Sequence, residues 1–268
     1  LMEDFLIESQ GGEVQLKTEP VTTGKKRLVN YLWNPGPKKI MVAFVFDKDP
    51  GESEWLYAHE LGRLYLEENS GDKIKTLKVH NINSEEEAVV AMNDLIDMGV
   101  KVIFTTSAQQ VSASLKVAAE HKDVVILNCS LNTSHKLIRT YYARLYEVKF
   151  LAGMMAGAMS ESGNIGYIAD YPIVGTPANI NAFALGAQMV NPRAKVFLEW
   201  TKVKGVSREK AIEGFKAKGV EYVSDQVMIK PNEASKQFGL YSITEDEPVN
   251  VAMPIYQWGP FYAKLIDS

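Results

Sequence analysis

Trp55 and Tyr57 stand two residues apart, just after a loop carrying Asp47, Asp49, Glu52 and Glu54. Aromatic faces beside carboxylates suit non-covalent capture of a flat, hydrogen-bonding solute. Stacking of a base on such a ring is worth roughly 1–3 kcal/mol on nucleobase platforms. A carboxylate accepts from an exocyclic amine or a ribose hydroxyl. The alternative reading of the same residues is a hydrophobic lid over a helix, with the acids solvated as loop acids mostly are.

Further candidates recur along the chain, each after an apolar run. Thr106, Ser107 and Gln109 donate and accept together, which suits a neutral polar ligand, although Ser107 equally fits a helix cap. Asn128, Cys129 and Ser130 end a later run. There Ser130 is the candidate contact, and Cys129 reads as a small buried hydrophobe. Asp170, Tyr171 and Pro172 follow the next run, with Tyr171 a second ring for the ligand. Asn179 and Asn181 open a helix, and one of them is free to cap it. Trp200 and Asp225 end two further runs, and Asp225 is the preferred acceptor for a ribose hydroxyl. Trp258 precedes Gly259-Pro260, so it is either a ligand contact or the structural start of a helix.

Binding, not turnover, is the chemistry these residues share. The sequence holds no Gly-x-Ser-x-Gly elbow, no Walker A loop and no Gly-x-Gly-x-x-Gly fingerprint. No catalytic residue and no cofactor is expected. His59 lies inside a helix, with Glu60 adjacent rather than facing it, and no set of ligands is spaced for a metal. Arg144 and Glu147, three apart, read as a local scaffold pair.

The elements that would position these candidates follow a βα rhythm. Ile40–Phe46 is a continuous apolar run rich in β-branched and aromatic residues, as in a strand buried on both faces. Pro50-Gly51 marks a turn, and a helix opens near Trp55 and runs to about Glu68. Ile74–Val79 alternates, as a strand nearer a sheet edge would. Ser84 and Glu87 form a capping box, and Gly99 closes that helix. Strands near 101 and 124 follow, with a helix over Val111–His121 between them. The rhythm breaks around Asn132–His135 and restarts with a small-residue helix over Phe150–Met159. Strands over Asn164–Ala169, Lys195–Trp200 and Val220–Ser224 alternate with helices over Ala178–Met189 and Arg208–Lys218. A short helix over 231–238, strands over Leu240–Ile243 and Val249–Pro254, and a helix over Gly259–Ile266 complete the chain. Strands alternating with helices imply βαβ units and parallel sheets, whose ligands sit beyond the carboxyl ends of the strands.

The bulk numbers agree. The chain has 268 residues, 46% hydrophobic and 23% charged, enough for one large domain or two modest ones. A net charge of −4 argues against nucleic acid as a partner. The single cysteine excludes an internal disulfide. No run approaches the ~18 apolar residues of a membrane span. No signal peptide is visible at the start, and the first and last residues read as the ends of a processed chain or a fragment.

Several collinear stretches resemble one family. These are Trp55-x-Tyr57-Ala58-His59-Glu60-Leu61-Gly62-Arg63, Ile103–Ser107, Tyr142-x-Arg144-x-Tyr146-Glu147-x-Lys149-Phe150-Leu151-Ala152-Gly153, Ile165–Ala169, Asn181-Ala182-Phe183-x-Leu185-Gly186-Ala187, Val190-Asn191-Pro192 and Gln257–Tyr262. Together they resemble the basic membrane protein (BMP, PnrA-like) solute-binding lipoproteins of ABC transporters, over about residues 39–268. The resemblance implies an α/β fold, the two-lobed periplasmic-binding-protein fold of type I, each lobe a mainly parallel sheet flanked by helices. It also implies capture of a purine nucleoside or related small molecule, with an ABC-transporter permease as partner. Such a chain is extracytoplasmic, at the cell surface or in the periplasm, and membrane-associated through a segment outside it. A ligand-sensing domain joined to a fused output module carries the same motifs, and an enzyme on the same α/β scaffold is a third reading. The expected organisation is 1–38 as an extension or the end of a preceding domain, 39–131 plus 247–268 as lobe 1, and 132–246 as lobe 2.

Overall fold

A computed structural model describes residues 39–130, 135–172, 175–225 and 237–267. The expectations for 1–38, for most of the break at Asn132–His135 and for most of the helix over 231–238 lie outside the described residues.

The chain separates into two compact units. One holds the residues up to Tyr142 and those from Tyr256 onward; the other runs from Ala143 to Ile255. In the first unit, strands β1 (Ile40–Val45), β2 (Ile74–Val79), β3 (Val102–Thr105), β4 (Val125–Cys129) and β5 (Arg139–Tyr141) form a sheet in the order β2-β1-β3-β4-β5. Every pairing in it is parallel. Helices α1 (Glu54–Asn69), α2 (Glu85–Asp97) and α3 (Val111–Glu120) connect the strands.

The apolar run from Val42 to Phe46 is wholly buried, as a strand covered on both faces requires. The alternating strand β2 lies at the sheet edge, as its pattern predicts. One face packs Val45, Ile103 and Ile126 against Met92 and Leu95 of α2 and Val117 of α3. On the other, Phe44 stacks on Phe104 at 5.0 Å and meets Tyr262 edge-on at 5.0 Å. The capping box forms as read: the Glu87 N–H donates to Ser84 Oγ at 3.1 Å, and the Ser84 N–H donates to Glu87 Oε2 at 3.1 Å. Gly99 turns the chain at a φ of +93°, a conformation that a Cβ would strain. The three-residue strand β5 is too short to register as a pattern.

The second unit contains α4 (Leu145–Met159), β6 (Asn164–Ala169), α5 (Thr176–Val190), β7 (Lys195–Trp200), the single turn α6 (Thr201–Lys204), α7 (Arg208–Lys216), β8 (Tyr222–Ser224), β9 (Leu240–Ser242) and β10 (Val249–Ala252). Its sheet order is β10-β9-β8-β6-β7. β6 is parallel to β7 and β8, while β9 and β10 join antiparallel. Strand β10 thus differs from the expected boundary at 247: its backbone pairs with β9, so it closes this sheet. Helix α8 (Trp258–Ile266) returns to the first unit.

Helices α4 and α5 pack backbone to backbone. A Cβ on Gly153 would lie 2.0 Å from the Phe183 carbonyl oxygen, and one on Gly186 would lie 2.0 Å from the Phe150 carbonyl oxygen. Only glycine allows that approach. The helix also starts at Leu145, ahead of the apolar run at Phe150, with Glu147 favourably placed in its first turn. Among the described residues, no helix is long and apolar enough to cross a membrane.

Candidate ligand-binding site

The loop after β1 is built by its own polar residues. Asp49 caps a short 3-10 turn over Pro50–Glu52: Asp49 Oδ1 accepts from the Gly51 N–H at 2.7 Å, and Glu52 Oε1 accepts from the Asp49 N–H at 3.4 Å. Ser53 then caps α1, its Oγ accepting from the Leu56 N–H at 3.2 Å. This delivers Trp55 to the first turn of the helix. Its indole N–H donates to the Thr106 carbonyl at 3.0 Å, tying the loop after β1 to the tip of β3.

Around that bond the first unit forms a cavity of about 340 Å³. The β1–α1 segment contributes Asp47, Lys48, Glu52, Ser53, Trp55 and Leu56; the tip of β3 contributes Thr106, Ser107 and Ala108; Cys129 ends β4 and Tyr142 follows β5. All of these lie at the carboxyl ends of parallel strands or in the segments that follow them, where α/β sheets bind ligands. The volume falls within the range of small-molecule sites.

Its chemistry is aromatic and acceptor-rich. The rings of Trp55 and Tyr142 are 5.6 Å apart and tilted by 35°. Asp47 Oδ1 is buried and has no hydrogen-bond partner among the described residues. Thr106 Oγ1 donates to the Val45 carbonyl at 3.2 Å, and Ser107 Oγ accepts from the Gln109 N–H at 3.3 Å. Burial pushes the Cys129 thiol up, so it stays protonated as the small hydrophobe the sequence suggested. Burial also raises the Tyr142 hydroxyl, with the nearby Cys129 adding to it.

The structure places the sequence candidates of this unit unequally. Trp55 and Ser107 line the cavity. Asp49 caps its turn, with His80 Nδ1 at 3.7 Å, and Gln109 is exposed on a 3-10 turn beyond it. Tyr57 is buried inside α1 and is not in the wall. Ser130 is buried, its N–H donating to the Tyr141 carbonyl at 3.1 Å. Trp258 lies behind Trp55: it stacks on His59 at 4.5 Å and on Tyr256 at 5.8 Å, and meets Trp55 edge-on at 5.8 Å. Its close seat against α1 depends on Gly62, where a Cβ would fall 2.6 Å from that of Trp258.

His59 is fully buried, bonded through Nδ1 to the Tyr262 hydroxyl, and burial lowers its pKa to about 3. It is therefore neutral at physiological pH. Glu60 points elsewhere: Arg63 donates to it from Nε at 2.9 Å and Nη2 at 2.8 Å, and Lys78 Nζ at 2.7 Å. Among the lining residues not singled out in the sequence are Tyr142, quoted there only within a motif, and Lys48. Neither carries a local signal, because each reaches the cavity through the fold.

In the second unit, Asp225 is buried at the end of β8. Arg208 Nε donates to its Oδ1 at 3.2 Å and its Oδ2 at 3.0 Å, and Arg208 Nη2 donates to Oδ1 at 3.1 Å. The Tyr241 hydroxyl donates to Oδ2 at 3.4 Å. Burial works against the Arg208 charge, but the bonds and charge of Asp225 outweigh it and raise the pKa. The carboxylate expected to accept from a ribose hydroxyl is thus held in an internal ion pair. Lys149 Nζ bonds Ser224 Oγ at 2.9 Å and the Asp225 carbonyl at 3.0 Å. Asp170 Oδ1 accepts from Thr201 Oγ1 at 2.6 Å, with Arg208 Nη2 at 3.5 Å. Tyr171 is half exposed, Trp200 packs on the core formed with Phe183, and Asn181 is exposed on α5.

Comparison with known proteins follows the same lines. The family model described as ABC transporter substrate-binding protein PnrA-like (Bmp) matches residues 39–230. A purine-binding protein of Brucella abortus (strain 2308) is 29% identical over 236 residues, covering 84% of this chain and 67% of the relative. A Haloferax volcanii protein named as an ABC transporter glucose-binding protein, TsgA13, is 27% identical over 241 residues, covering 85% of this chain and 61% of the relative. The chain therefore spans about two thirds or less of the length of these relatives. Among solved structures, an ABC transporter solute-binding protein from Conexibacter woesei DSM 14684 superposes with a TM-score of 0.61 at 14% identity, covering 69% of this chain and 63% of that one, which supports the fold. By its family match, the chain belongs to the PnrA-like (Bmp) family of ABC transporter substrate-binding proteins.

Proposed function

We propose that this chain captures a flat, uncharged, donor-bearing solute, a purine nucleoside or base, without turning it over, and presents it to the permease of an ABC importer outside the cytoplasm. The observation that supports this reading is the cavity itself, where the Trp55 and Tyr142 rings share one wall with the carboxylate residues Asp47 and Glu52. A purine supplies both complements, a π-face and N–H groups. Two acids and one base in the wall, Asp47 and Glu52 against Lys48, disfavour a phosphate, which selects nucleosides over nucleotides. The purine-binding relative supports the same ligand class.

A thermal-shift screen with purine and pyrimidine nucleosides, free bases, riboflavin and hexoses tests the reading. A ligand that binds only the folded chain raises Tm. A purine nucleoside or base giving the largest rise, with chromatography showing the recovered ligand unchanged, is the expected result. A hexose giving the only rise overturns the purine assignment, and product formation overturns the non-catalytic one.

A further inference from the structure

Behind Trp55 stands a set of rings that the cavity does not account for. Tyr256, Trp258 and His59 lie nearly parallel: 7° separates Tyr256 from Trp258, and 14° separates Trp258 from His59. Trp55 stands across all three, at 83° to Tyr256, 84° to Trp258 and 78° to His59, with centroids 5.2, 5.8 and 4.9 Å away. Edge-to-face contacts of this kind are favourable and directional. The indole bond to the Thr106 carbonyl fixes the remaining rotation. Trp55 is therefore held in one orientation before any ligand arrives, which lowers the ordering cost of binding.

Two of the rings in contact with Trp55 also occupy special places in the chain. Tyr142 is the last residue of the first unit before the chain leaves it, and Tyr256 is the first after it returns. Tyr142 shares the cavity wall, whereas Tyr256 is not in it.

We propose that Tyr142 and Tyr256 are positioning residues for Trp55, holding its ring in the orientation that receives the ligand. The proposal rests on the solute-binding reading, with Trp55 as the ring on which the ligand stacks.

Tyr256→Leu and Tyr256→Phe test it, with adenosine as the probe. Tyr256 is only partly buried, so the substitutions leave the core of the unit intact. Tyr256→Leu weakens adenosine binding by about fivefold in calorimetry, the scale of one lost aromatic pair. It also changes the near-ultraviolet circular dichroism of the free protein. Tyr256→Phe keeps the ring and restores both to wild-type values, a rescue that general loss of stability would not give. Tyr256→Leu binding as tightly as the wild type overturns the positioning role and leaves the solute-binding reading intact. Failure of the wild type to bind adenosine overturns the purine reading and this proposal with it.

Discussion

At the end of β1, a buried oxygen of Asp47 has no partner among the described residues; at the end of β8, both oxygens of Asp225 are held by Arg208. Each aspartate follows the carboxyl end of a strand that has a parallel neighbour. Their environments give them opposite tasks. Asp225 contributes to holding its unit together, because a buried carboxylate must be paired. Asp47 lines the cavity, and none of the described residues pairs with its Oδ1. A strand tip thus marks where a site can be, while the pairing of its polar atoms shows whether the protein has already filled that site from within.

The widest expected contrast comes from Arg208→Ala. It strands a buried carboxylate and costs about 3 kcal/mol, the lower end for breaking such a pair because Arg208 itself is about a third exposed. Urea unfolding followed by far-ultraviolet circular dichroism measures it, and an unchanged midpoint would erase the distinction between the two tips. Trp55→Ala comes next: nucleoside affinity falls tenfold or more, roughly 1.4 kcal/mol, in calorimetry. Unchanged affinity would remove Trp55 from the site. Asp47→Asn sharpens the comparison from the other side. It weakens binding of a donor-bearing purine by about fivefold, the scale of one hydrogen bond, while the urea midpoint stays the same or rises. A large stability loss there would mean that Asp47 resembles Asp225 after all. Arg144→Ala is the control: its pair with Glu147 at 3.3 Å is mostly exposed, so stability changes by less than about 0.5 kcal/mol, and affinity does not change.

Much of this was legible in the residues. The apolar runs fixed the strands, alternation put β2 at an edge, and Ser84 with Glu87 gave a helix start. The motif around Trp55 pointed to the family. Other features needed the fold. Trp55 and Tyr57 are two apart on a helix, hence about 200° apart around its axis, so one lines the cavity while the other is buried in the unit. The Asp49-Pro50-Gly51-Glu52 stretch carried its own capping signal, which explains why Asp49 is engaged by backbone. Asp225 and Arg208 are 17 residues apart, Arg208 opening α7 and Asp225 following β8, and local spacing says nothing of their meeting. Strand β10 shows the same limit: an apolar run announces a strand but not the sheet that will accept it. Tyr142 enters the cavity only because β5 pairs with β4.

The reciprocal notch between α4 and α5 has a consequence for how this chain can vary. Each helix receives the other's carbonyl where a hydrogen atom stands in place of a side chain, at Gly153 and at Gly186. Neither position can be altered alone, since even one methyl would wedge the pair apart. The seam gives β6 and β7 a double beam to rest on, and its two glycines can change only together.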